Sequence, residues 1–158
     1  MKFVAHRRRS QRGHAVLELA LSAGLMLACL AGTFQFGYTF YLYNQLVTAV
    51  GNGARYAAQR TYRAATPQDV EKGLRAVRNM VVYGDSRPSA SAEPVVPGLT
   101  IDNVRAQWVR SGIGEPSAVL VSIEDFPVDA VFASYTFTGR PSVEFPFVGR
   151  YAPSESEP

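Results

Sequence analysis

Hydrophobic positions along this chain follow three rhythms, and each predicts a different kind of element. From Gly13 to Arg55 apolar residues run almost unbroken: the 41 residues between them include one charged residue, Glu18. About 20 apolar residues suffice to cross a bilayer core of roughly 30 Å as a helix. Val16 to Tyr43 therefore predicts one transmembrane helix, about 42 Å long at the α-helical rise. Its surplus length falls at one end, where Phe34, Phe36, Tyr38, Phe40, Tyr41 and Tyr43 gather. Amphipathic rings concentrate where lipid headgroups begin, so that end marks the outer interface.

Beyond it the rhythm becomes that of an amphipathic helix. "YNQLVTAVGNGARYAAQRTYRAA", residues 43–65, continues the helical pattern, with Gly51 and Gly53 weakening it and able to bend it. A second helix starts at "TPQD": Thr66 is placed as N-cap, Pro67 at the first position and Asp69 closing a capping-box-like pattern. Val70, Leu74, Val77 and Val81 then mark one apolar face, and Tyr83-Gly84-Asp85 ends the helix. "SRPSASAEPVVPG", residues 86–98, reads as a connection.

The third rhythm has period two. Val104, Ala106 and Trp108 alternate, then Val119, Val121 and Ile123, then Tyr135 and Phe137, then Val143, Phe145 and Phe147. Such runs predict short antiparallel strands with one wetter face, and the tail "APSESEP" reads as frayed. The expected class is α+β: a long N-terminal hydrophobic helix, then a small domain with one amphipathic helix and a short-stranded antiparallel sheet. The expected division is 1–13 as a basic leader, 14–63 as the membrane helix with its extension, and 64–158 as an extracytoplasmic domain. A soluble part of roughly 90 residues can bury a small core.

Charge sharpens this picture. Five of the 16 Lys and Arg residues, Lys2, Arg7, Arg8, Arg9 and Arg12, precede residue 14, and none of the 13 Asp and Glu residues does. Without that stub, eleven basic and thirteen acidic groups remain, a balance of −2. The high pI thus reports a leader rather than a basic surface, and a nucleic-acid partner is not expected. Basic stubs beside apolar segments stay cytoplasmic. Arg7, Arg8, Arg9 and Arg12 then serve as the cytoplasmic anchor, although Arg55, Arg60 and Arg63 flank the other end.

Candidate chemistry is sparse. His6 and His14 have no partner at metal-ligand spacing, and neither Gly51-Asn52-Gly53 nor Gly112-Ile113-Gly114 completes a phosphate loop. Glu124, Asp125 and Asp129 read as solvated loop acids. No catalytic residue, metal or cofactor is expected.

That leaves Glu18. An ionised carboxylate at the centre of a membrane helix costs on the order of 2.5–3.5 kcal/mol, and less near an end, where it can snorkel to headgroups. A second reading considers a cut after Gly13. His14 then becomes the N-terminus, and its new ammonium stands four residues from Glu18, on the same helical face and about 6 Å away along the axis. The pair can form within one chain or between subunits. Small residues recur at Ala20, Gly24, Ala28 and Gly32, a helix-packing stripe if not the ordinary Gly and Ala content of membrane helices. Glu18 lies about 200° from Ala20 around the helix.

A basic leader ending in Gly, an apolar helix and Glu at mature position five resemble the processing pattern of type IV prepilins and pseudopilins. "RRRSQRGHAVLELAL" fits it, with Gly13 and His14 at the cut and Glu18 at position five. "GTFQFGYTFYLYNQLVTAVGNGARYAAQR" looks like the TadE-like pseudopilins of tight-adherence (Flp-type) pilus systems. The likeness is specific over about residues 7–63. It implies a minor pilin-like protein of the bacterial inner membrane, with its N-terminus cytoplasmic and its C-terminus periplasmic. The implied partners are a prepilin peptidase, other pilin or pseudopilin subunits, inner-membrane platform proteins and the lipid bilayer. Leu19 stands where major Flp pilins carry Tyr, which argues for a minor subunit, and His14 is an unusual first mature residue. Two alternatives remain: a lipoprotein acylated on Cys29 of "MLAC", and an uncleaved single-pass anchor presenting a binding domain.

Overall fold

The computed structural model describes residues 9–60, 62–63, 67–110, 116–129, 134–149 and 151–152. Arg7, Arg8, the predicted cap Thr66, the Gly112-Ile113-Gly114 stretch and the tail from Pro153 lie outside them. Two compact units are present, Met1–Tyr38 and Thr39–Pro158.

One helix, α1 (Arg9–Ala58), serves both units. In the first, Val16, Leu17, Leu19, Leu21, Leu25, Met26, Leu27 and Leu30 are all exposed, on every side of the helix. Moving each of these side chains out of water is worth about 1.5–3 kcal/mol. Together they represent well over 10 kcal/mol of apolar side chain left exposed. The segment is long and apolar enough to cross a membrane, consistent with a single-pass membrane protein.

In the second unit the same helix changes character. Leu42, Leu46, Ala49, Val50, Gly53, Ala54, Ala57 and Ala58 are buried, at helical spacing on one stripe. The helix runs through Gly51 and Gly53 and ends at Ala58, short of the Ala65 that its local pattern permits. Long-range pairing explains the earlier stop. The Val148 amide donates to the Ala58 carbonyl at 3.0 Å, and strand β1 (Tyr62–Arg63) pairs with strand β7 (Tyr151–Ala152).

Helix α2 (Pro67–Tyr83) ends as its sequence predicts. Gly84 takes φ +70°, and its amide donates to the Met80 carbonyl at 3.0 Å, closing the last turn in the left-handed conformation glycine adopts without penalty. Val77, Val81 and Val82 are buried, with Leu74 packed against the core beside them.

Strands β2 (Val104–Arg110), β3 (Pro116–Ile123) and β6 (Ser142–Pro146) form an antiparallel sheet in the order β2-β3-β6. The register pairs Val104 with Ile123, Ala106 with Val121 and Trp108 with Val119, then Val121 with Val143 and Val119 with Phe145. The residues that alternate in the sequence thus share one face, which packs into the core with α1 and α2. Phe147 lies one residue beyond β6 and meets Trp108 edge-on, with ring centroids 5.9 Å apart.

Two features depart from the expected single antiparallel sheet. Strand β4 (Phe126–Asp129) forms an antiparallel hairpin with β5 (Ser134–Phe137) where loop acids were expected. Phe126 and Val128 are buried while Pro127 and Asp129 point outward. Pro127 and the surrounding acids hide this two-residue alternation. The β1–β7 pair is parallel, and it joins segments nearly ninety residues apart.

Candidate functional site

The sequence-predicted residues lie on the first turns of α1 and along its uncovered half. Arg9 and Arg12 fall within the helix, so the Gly13–His14 bond sits inside helical backbone rather than before it. Gly13, His14 and Glu18 are all exposed. His14 and Glu18, four positions apart, are offset by about 40° around the axis and 6 Å along it. One face of one helix therefore carries both the candidate cleavage point and the acid.

Ala20, Gly24, Ala28 and Gly32 are likewise exposed. A Cβ added at Gly24 or Gly32 would meet nothing within 4 Å. At four-residue spacing the stripe winds about 40° per step. It starts opposite Glu18 at Ala20 and turns about 120° by Gly32, towards the azimuth of the acid. The stripe is thus bare backbone-accessible surface within this chain. Cys29 is exposed and unbridged. Its carbonyl accepts the Thr33 hydroxyl at 2.9 Å, so that polar side chain is satisfied within the apolar segment.

A second set of small residues, in "GNGARYAA", has a different task. A methyl on Gly53 would overlap Cγ2 of Val81, and the Val77 carbonyl oxygen would lie 3.6 Å from it. Glycine here lets α1 and α2 approach closely, and Ala54, Ala57 and Ala58 beyond it are buried as well. Arg55 points off that face, its guanidinium 5.7 Å from the Phe145 ring centroid. The sequence marked Gly53 as a weak point of the helix. Its role in packing depends on Val81, 28 residues away, and is visible only in the fold.

Among the described residues no three His, Cys, Asp or Glu side chains gather as a metal site. Asn103 organises the β3–β4 corner: its Nδ2 donates to the carbonyls of Glu124 and Asp125, at 3.2 and 3.0 Å. The Glu124 carboxylate accepts from the Ser122 hydroxyl and the Gly139 amide, both at 3.1 Å. Both acids are therefore engaged in holding the corner.

Searches of curated proteins and of solved structures find no match for this chain. A family model does match: residues 13–55 fit the one described as TadE-like protein. The matched stretch starts at the candidate cleavage residue, takes in Glu18 and the uncovered segment, and ends two residues past Gly53. Over that stretch the chain is similar to the TadE-like family, consistent with a TadE-like protein of tight-adherence pili.

Proposed function

We propose that the chain is a minor pseudopilin of a Tad-type pilus system, held in the bacterial inner membrane by α1 and cut by a prepilin peptidase after Gly13. The observation that carries this reading is the match over residues 13–55, with Glu18 five positions beyond Gly13 on an apolar helix whose side chains are exposed.

Each residue has a part. Arg7, Arg8, Arg9 and Arg12 hold the leader on the cytoplasmic side. The peptidase acts on the Gly13–His14 bond, which lies in helix, so the first turns must open before an extended strand can enter a proteolytic cleft. Gly13 lowers that cost by about 1 kcal/mol relative to alanine. Cleavage frees an ammonium at His14, and Glu18 answers it from one helical turn deeper, within the chain or across a subunit contact. Ala20, Gly24, Ala28 and Gly32 give a second helix close access in the bilayer. The partners are then the peptidase, other pilin-like subunits and platform membrane proteins, and the role is structural, in assembly of the fibre.

Mass spectrometry of the chain from its host, with and without the peptidase gene, tests the cleavage. Loss of residues 1–13 only when the gene is present is expected, and an intact Met1 in both strains overturns the proposal. Glu18→Ala should insert normally yet fail to support pili. Normal pili from that variant favour the uncleaved anchor, and altered mobility of a Cys29→Ser variant favours the lipoprotein.

A further inference from the structure

A groove runs along α2 where it meets the last turns of α1 and strand β2. Its main chamber, about 650 Å³, has Tyr56 and Trp108 among its walls and carries the side chains of Arg60, Lys72, Arg75 and Arg87, with Asp69 as the one acid among the described lining residues. Arg75 and Arg87 also line a second hollow of about 460 Å³, so the two hollows share these side chains.

This concentration of positive charge is not the character of the unit as a whole. Residues 39–158 contain eleven Lys and Arg and twelve Asp and Glu, yet the described lining of the groove holds four of the cations and one of the acids. Among the described residues internal pairing does not neutralise them. Lys72 Nζ is 3.9 Å from Asp69 Oδ1, a loose contact between solvent-exposed groups. The Arg60 guanidinium lies over the Tyr56 ring, 5.1 Å from its centroid, and stacking leaves the in-plane N–H donors of such a group available. Asp85 accepts from the Arg87 backbone amide at 2.9 Å and forms no ion pair with its guanidinium. The contrast is Arg78 on the same helix, whose guanidinium reaches Glu71 at 3.1 Å.

We propose that this groove binds an acidic, extended segment of a partner protein. Several guanidinium groups lining one groove match carboxylates presented in series, each able to take a bidentate pair. The aromatic walls add apolar contact and cation–π support at low conformational cost. A lipid headgroup is the other anionic source near a membrane, and distance argues against it. Tyr56 lies fifteen residues beyond Tyr41 on α1, or about 22 Å at the helical rise, whereas charge attraction fades over a Debye length of about 8 Å. That exclusion rests on the membrane placement proposed above, with Tyr41 at the interface. The binding chemistry does not.

Trp108, the single tryptophan, lines the groove and reports on it directly. The full chain is placed in nanodiscs of neutral phosphatidylcholine and titrated with a tryptophan-free peptide of about ten residues alternating Glu with Leu and Pro; a Gln-for-Glu peptide is the control. A saturable change in Trp108 emission with the acidic peptide, at least about tenfold weaker with the Gln peptide and in high salt, is the expected result. The double variant Arg75→Glu, Arg87→Glu should lose about tenfold or more in affinity, while Arg105→Glu, exposed on β2, should change it less than about twofold. No emission change, or equal response to both peptides, overturns the proposal. So does an emission change produced by anionic phosphatidylglycerol nanodiscs without peptide, which assigns the groove to lipid. None of these readouts depends on cleavage at Gly13, so their failure leaves the processing test standing.

Discussion

Gly53 and Gly51 sit two positions apart in the last turns of one helix, about 200° from each other around it, and this makes them a matched pair for substitution. At Gly51 an added Cβ meets nothing within 4 Å. Gly51→Ala should therefore stabilise the domain by about 0.5–1 kcal/mol, the ordinary helix-propensity gain. At Gly53 the same methyl overlaps Cγ2 of Val81. Val81 is fully buried, and its β-branched side chain has one strongly preferred rotamer in a helix, so it cannot swing aside. The two helices must separate instead, an overpacking cost of about 1–3 kcal/mol. The propensity gain is common to both variants, so the difference between them isolates the overpacking. Gly53→Ala should fall about 1–3 kcal/mol below Gly51→Ala, or several degrees in melting temperature for a domain of this size. Urea titration of the full chain in detergent micelles, followed by Trp108 emission, measures it. Val81→Ala in the Gly53→Ala background should recover part of the loss, giving a coupling of about 1 kcal/mol in the double-mutant cycle. Equal stability of the two alanine variants, or strict additivity with Val81→Ala, refutes the close helix–helix approach.

Leu46→Ala and Leu27→Ala separate the two halves of α1 in the same assay. Leu46 is 0% exposed and should cost about 3 kcal/mol, whereas Leu27, 65% exposed, should leave domain unfolding unchanged. Asn103→Ala removes the donor that holds the Glu124 and Asp125 carbonyls and should cost about 1–3 kcal/mol, with faster amide exchange at Glu124 and Phe126.

Several elements were readable from local pattern because their causes are local. Pro67 and Gly84 bracket α2, since a fixed φ starts a helix and a positive φ ends it. The alternating residues of β2, β3 and β6 share a buried face, since side chains on a strand alternate whatever the strand's neighbours are. The membrane-length run needs nothing but composition. For the candidate site, Gly13, Glu18 and the small-residue stripe were equally plain, because their signal is spacing along one helix.

Tertiary structure decided the rest, where the cause lies far along the chain. Helix α1 stops at Ala58 because Val148 caps it and β7 pairs with the segment that follows. Phe126 and Val128 turn "FPVD" into a strand because the β5 hairpin and the core receive them. Gly53 is a packing residue because Val81 stands opposite. Arg60, Lys72, Arg75 and Arg87, scattered over 28 positions, become one groove only when α1, α2 and β2 meet. A sequence records what each residue prefers among its near neighbours. Which distant residues become neighbours is settled by burying one shared core, and that depends on every element at once.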